Sequence, residues 1–267
     1  MKLEVSMFDV PFSRCNTSTF DVPCSFGVIR FFRFVTVHSK FPVMKKVFAA
    51  ICLLAVHNAF SQKCTDYYYL QNNKTIEMTI TNKKAKETGK VVYAISNVSK
   101  KGNGITATIN SEMFDKNGKT ISKASNNVQC ENGVLMMDMK MFIPSAQQEQ
   151  MGDVSAAGTT SYLEYPAALK DGDALKDASF DMDFKSKGGL GGHISIDMTN
   201  RKVEGKENIT TPAGTWDCFK ITYHSKMILK MGIGIPINAD VIEWYAPGFG
   251  VVKTESGGGG TEISSIK

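Results

Sequence analysis

The chain has 267 residues, with 31 Lys and Arg against 26 Asp and Glu and a formal net charge of +5. Seven of the basic and three of the acidic residues lie in 1–61, which leaves 24 against 23, a net of +1, for residues 62–267. That near-neutral remainder, with its charges interspersed along the sequence, excludes the nucleic-acid binders that a basic chain would otherwise suggest.

Residues 44–61, MKKVFAAICLLAVHNAFS, have the order of an export signal. Lys45 and Lys46 follow Met44, an apolar run spans Val47 to Val56, and small residues Ala59 and Ser61 occupy −3 and −1 for a cut that leaves Gln62 first. The run falls short of the ~20 apolar residues a spanning helix needs, so no transmembrane span is expected after cleavage. Residues 1–43 carry no export pattern and read as an over-called start upstream of Met44. A lipoprotein signal ending at Cys64 would place Lys63 at −1, where a small residue is required, so lipidation is not expected. The protein is expected in the periplasm or outside the cell.

Residues 62–267 are expected to form a single β-rich domain. Candidate strands run Thr75–Thr81, Lys90–Val98, Ile105–Phe114, Thr120–Cys130 and Val134–Phe142. Between them lie Lys100-Lys-Gly-Asn-Gly104, Asp115-Lys-Asn-Gly118 and Glu131-Asn-Gly133, whose Gly and Asn residues suit the positive φ angles of tight hairpins. Ser145–Met151 reads as a short helix capped by Ser145, and Tyr162–Pro166 as part of a connection between two β halves. Strands resume at Phe180–Lys185, His193–Val203, Glu207–Thr211, Thr215–Leu229, Ile235–Trp244, Gly250–Glu255 and Thr261–Ile266. Long helical periodicity is missing. The expected class is all-β, an antiparallel meander forming an open barrel, a roll or a sandwich, with at most one or two short helices.

Chemistry-bearing residues are sparse. Gly188–Gly192 and Gly257–Gly260 join strands and feed no helix, so they read as turns and not as phosphate cradles. After signal removal only His193 and His224 remain. Cys218 and His224 are six residues apart in one strand, about 20 Å at roughly 3.3 Å per residue, too far to act together. Asp181 and Asp183 alternate with Phe180, Met182 and Phe184 on a solvated face. Asp171, Asp173 and Asp177 lack the spacing and closing Glu of a calcium loop. No catalytic residue, metal site or cofactor is expected.

Cys64, Cys130 and Cys218 remain for one disulfide in an oxidising compartment, with three pairings open. In the strand holding Cys218, Phe219, Ile221 and Tyr223 form the core face. Cys218 shares the other with Lys220, Thr222 and His224, which favours a disulfide to a covering segment over a packed free thiol. Met137, Met139 and Met141 recur at strand spacing, as core filling or as the lining of an adaptable apolar groove. The candidate groove is therefore Met137, Met139, Met141, Phe219, Ile221 and Tyr223.

Several motifs occur in order: Leu163-Glu-Tyr-Pro166, Lys170–Asp177, Thr199-Asn-Arg-Lys-Val203, Thr210–Lys220 and Glu243–Lys253, with Gly102–Gly118 and Cys130–Gly133 before them. Together they resemble the TapB-like exported proteins of Bacteroidota, a family of DUF3108-like type. The resemblance implies a secreted β-rich domain, carries no catalytic residues across, and suggests a barrel or roll like that of periplasmic lipoprotein carriers, an analogy of fold alone. The expected function is a non-enzymatic binding or interaction domain holding an apolar ligand or an envelope partner segment on a concave sheet. A cell-envelope hydrolase and a purely structural envelope component are the alternatives.

Overall fold

Asn132 and Gly133 both adopt positive φ, 51° and 84°, the requirement of a two-residue hairpin whose twist matches its strands. Hairpin turns and two longer connections string together twelve strands in the computed structural model, which describes residues 63–143, 147, 161–186 and 188–267. The expectations for residues 1–61, and for a helix over 145–151 apart from residue 147, lie outside the described residues.

The strands are β1 (Thr75–Asn82), β2 (Glu87–Lys101), β3 (Gly104–Asp115), β4 (Thr120–Glu131), β5 (Val134–Asp138) and β6 (Tyr162–Tyr165). The second half supplies β7 (Ala178–Lys185), β8 (Gly191–Thr211), β9 (Gly214–Met231), β10 (Ile233–Ala246), β11 (Gly250–Ser256) and β12 (Gly259–Ile266). All pair antiparallel in one sheet of order β6-β5-β4-β3-β2-β1-β12-β11-β10-β9-β8-β7, nearly closed into a barrel. The expected meander is correct, and of its open forms the barrel is the one adopted.

Three boundaries differ from expectation. Tyr162–Tyr165 is a strand, because Leu163 and Tyr165 place alternate side chains in the core beside β5. His193–Val203 and Glu207–Thr211 are one continuous β8. The strand from Val134 stops at Asp138, whose carboxylate accepts from the Lys140 amide at 3.0 Å and starts a 3-10 turn over Met139–Phe142.

A meander makes its turns alternately at two ends of the sheet. One end is closed by two 3-10 turns, Cys64–Asp66 and Tyr68–Leu70. The Cys64–Cys130 disulfide fastens them to β4. The Tyr67 hydroxyl donates to the Gly133 carbonyl at 3.0 Å, and the Tyr68 amide to that of Gly248 at 3.1 Å. Phe249 packs here against Tyr68, Tyr69 and Trp216, with ring centroids 5.2, 5.7 and 4.7 Å away. Gly250, at φ 129°, lets the Tyr69 ring in, since a Cβ there would sit 3.0 Å from it.

Strands β6 and β7 end the sheet without a ladder between them. Side chains bridge this seam. The Ser161 hydroxyl donates to the Ser179 carbonyl at 2.5 Å, and Lys176 pairs with Glu164 at 2.6 Å. From inside, Arg201 Nη1 donates to the Glu164 and Lys176 carbonyls at 3.1 and 2.8 Å.

Candidate functional site

Strand alternation decides which side chains face the interior. On β8, Ile194, Ile196 and Met198 are buried; then the register to β9 shifts between Thr199 and Lys202, with Asn200 at φ 56°. One extra residue reverses the alternation. Arg201 and Val203 thereby turn inward in place of Asn200 and Lys202, and Arg201 is 1% exposed. On β10 the pairing with β9 runs without a shift, so Glu243 lies in phase with the inward Tyr245 and opposite Ile221. Glu243 is fully buried.

Around these two charges stand Tyr165, Tyr223 and Tyr245, all buried. The Arg201 guanidinium lies over the Tyr165 ring at 5.2 Å, a cation–π contact. Tyr165 stacks on Tyr245 at 4.7 Å between centroids, and the Tyr245 hydroxyl donates to that of Tyr67 at 3.1 Å. Arg201 Nε and Nη2, both Glu243 carboxylate oxygens and the Tyr165 hydroxyl have no hydrogen-bond partner among the described residues. Burial pushes the Glu243 carboxyl up to about 7, against the opposing pull of Arg201 and of the nearby Tyr165 hydroxyl. The same burial raises the Tyr165, Tyr223 and Tyr245 hydroxyls well above the ordinary phenolic value. The cluster is a buried carboxyl that holds its proton to about pH 7, ringed by three tyrosines and one arginine.

The six expected groove positions all reach the core. Phe219, Ile221 and Tyr223 share the inward face of β9 and are buried, as are Met137 on β5 and Met139; Met141 is partly buried. Met139 and Met141 lie in the 3-10 turn, so the methionines do not form a stripe along one strand.

Cys64 pairs with Cys130, whereas Cys218 is a buried free thiol, which corrects the expectation that its face favoured a disulfide. Cys218 faces Glu207 across the ladder, and Glu207 accepts from Trp244 Nε1 at 2.5 Å, so larger neighbours on that face shield a small side chain. Burial and the neighbouring Asp217 and Glu207 push the thiol up to about 12. His193 and His224 lie on the outer surface, each with Nδ1 at an aspartate: Asp183 at 2.9 Å and Asp240 at 3.0 Å.

Apolar surface reaches solvent at the end away from the disulfide. Leu190, Met231, Ile233, Ile235 and Ile237 are five of the six large apolar side chains exposed among the described residues. Ile235 and Ile237 pair across the ladder with the buried Leu229 and Met227, on the inward face. From Met227 outward, beyond Ser225, the inward face of β9 thus passes without a polar break into an exposed lip on β10. Because β11 pairs only with Val241–Ala246, Ile233–Asp240 is laddered on the β9 side alone among the described residues.

Of the buried cluster the sequence reading found only Tyr223, and the lip escaped it. Arg201 was hidden by its bulge, while Val241-x-Glu243-x-Tyr245 and Ile233-x-Ile-x-Ile237 carried a legible signal of alternation.

Among curated proteins, none matches the chain. Two solved structures share its fold. One is a Bacteroides fragilis NCTC 9343 protein of YmcC-like fold, named as exported, at 23% identity and TM-score 0.61, covering 74% of this chain and 96% of the other. The second is a Parabacteroides distasonis ATCC 8503 protein named as a lipoprotein, at 22% identity and TM-score 0.61 over the same shares. The DUF3108-like family matches residues 71–266, a span running from just before β1 to the end of β12, and the chain belongs to that family.

Proposed function

We propose that the protein is exported through residues 44–61 and acts in the cell envelope as a non-enzymatic binding domain that engages an apolar ligand or partner segment on the β10 lip. The observation that carries this reading is the exposure of Ile233, Ile235 and Ile237 on the face that buries Met227 and Leu229. Monomeric proteins rarely leave such side chains grouped in water, and grouped exposure marks contact surfaces. A partner segment would find Ile233–Asp240 open for strand addition on one side, with Pro236 withholding one donor from the ladder.

The remaining chemistry supports a role without catalysis. The free thiol is buried and weakly acidic, and both histidines pair with exposed aspartates. Export without lipidation at Cys64 is supported by its disulfide, since a sulfur bonded to Cys130 is not free to carry an acyl-glyceryl group.

The test is binding of a soluble environment-sensitive apolar dye, together with mass spectrometry of lipid co-purifying with the exported protein. Saturable dye binding that weakens at least tenfold in Ile235→Asp/Ile237→Asp is expected. No saturable binding and no co-purifying lipid or protein would overturn the reading.

A further inference from the structure

Lysines that are scattered in the sequence gather at one end of the sheet. Among the described residues, the turns away from the disulfide are β1–β2, β3–β4, β7–β8, β9–β10 and β11–β12, the β5–β6 connection lying mostly outside them. Lys83, Lys84 and Lys86 lie exposed in the first of these turns. Lys116 and Lys119 lie exposed in the second. Two acids stand against these five: the exposed Glu87, which follows Lys86, and Asp115, whose carboxylate is taken up by the Asn117 and Lys119 amides at 2.8 and 2.9 Å. Lys185 and Lys230 add exposed charge beside the last two rungs of β7–β8 and β8–β9.

The opposite end is balanced. Lys100 and Lys101 are there, but the β6–β7 connection sets Asp171, Asp173 and Asp177 against Lys170 and Lys176, and Glu131 precedes the Asn132 turn. The net of +1 over residues 62–267 therefore hides a local positive field at the lip end.

The same end carries the most exposed apolar side chains. Ile233 is 84% exposed, Leu190 69% and Ile235 62%. Leu190 sits in the β7–β8 turn and Ile233 at the tip of β9–β10, and the His193–Lys230 register brings those two tips side by side. Isoleucine and leucine at adjacent hairpin tips, flanked by lysine, make a surface with two demands: apolar burial at the tip and negative charge just beside it. The headgroup region of an anionic bilayer meets both, because short apolar side chains enter the acyl boundary while lysines remain at phosphate depth.

We propose that this end of the barrel docks on anionic lipid bilayers, with Leu190, Met231 and Ile233 entering the interface and the turn lysines facing the headgroups. The proposal rests on the lip being a contact surface and names the membrane as what it contacts. Docked in this way, the apolar face of β9 and β10 opens toward the bilayer, so a lipid chain could pass between the two without crossing water.

The test is flotation of the exported protein with vesicles of phosphatidylcholine alone and of phosphatidylcholine with 30% phosphatidylglycerol, the second figure being a choice of roughly physiological order. The protein is expected to float with the anionic vesicles and to be released by salt as charges are screened. Each surface lysine contributes roughly fivefold in partitioning, so Lys83→Gln/Lys84→Gln/Lys86→Gln should weaken binding about 100-fold. Leu190→Ser/Ile233→Ser should weaken it at every salt concentration, with both variants keeping the parent thermal midpoint. Flotation with neither vesicle, or equally with both, overturns the proposal. If flotation fails while the soluble dye still binds the lip, membrane docking alone falls; if both fail, the binding-domain reading falls with it.

Discussion

Arg201 and Glu243 lie buried in the same interior, opposite in charge, with no ion pair between them. The cost of removing the carboxylate from water therefore exceeds what Arg201 returns, and the carboxyl responds by holding its proton to about pH 7. In the unfolded chain the same group titrates near 4.5. The folded state thus binds this proton more tightly. Its stabilising contribution is complete below about pH 4.5 and is lost as pH rises through about 7, a change of roughly 3 kcal/mol over the window. Glu243→Gln removes the ionisation, so its stability relative to the parent should be near zero at pH 4.5 and favourable by roughly 3 kcal/mol at pH 8. Denaturant midpoints at the two pH values measure this, and an equal offset at both would sink the assignment.

Arg201 should matter differently, because it also closes the seam. Its Nη1 holds the Glu164 and Lys176 carbonyls, on the strand and the loop that flank the unladdered gap. Arg201→Met would strand those carbonyls and leave Glu243 without the counter-charge that Arg201 supplies, a loss of about 3–5 kcal/mol. Amide exchange should accelerate in Tyr162–Tyr165 and around Lys176 more than in β2 or β3. Adding Glu243→Gln to Arg201→Met should recover part of the loss at pH 8, a coupling that a double-mutant cycle reads directly.

Most of the architecture was legible in the sequence because a meander is local information: Asn132-Gly133 and its counterparts state where the chain turns, and two-residue alternation states which face is buried. Tyr162–Tyr165 was missed because four residues are too few for alternation to declare itself. Arg201 was missed for a stronger reason. A single-residue bulge at Asn200 reverses inside and outside, and only pairing with β9 reveals the reversal. The lysine cluster was equally invisible, since its members are up to about 147 residues apart and are gathered only by the alternation of turns between two ends of the sheet. Phe219, Ile221 and Tyr223 were read correctly as a core face from the same rule that failed on β8.

The disulfide at the closed end should be a principal staple. Cys64–Cys130 spans 66 residues and fixes the segment of two 3-10 turns in which Tyr67, between them, and Tyr69 fill the barrel floor. Cys64→Ser/Cys130→Ser should cost about 3 kcal/mol through freedom returned to the unfolded chain and lower the thermal midpoint by several degrees. Cys218 provides an internal control. A buried thiol pushed up to about 12 should react with a thiol reagent only on global unfolding, so its labelling rate should follow denaturant concentration. Rapid labelling of Cys218 under native conditions would contradict its placement.

The lip and the core it continues should respond oppositely to substitution. Met227 is 4% exposed, whereas Ile233, two rungs away along the same hairpin face, is 84% exposed. Met227→Ala removes packed volume and should cost about 2–5 kcal/mol. Ile233→Ser/Ile235→Ser removes side chains that touch mainly water and should change stability by no more than about 0.5 kcal/mol per site. Solubility should rise in the same variant, because the apolar patch that drives self-association is smaller. Urea denaturation and light scattering measure the two effects. Unchanged stability with higher solubility would mean that these isoleucines serve no need of the fold. A stability loss comparable to that of Met227→Ala would instead make the lip part of the core.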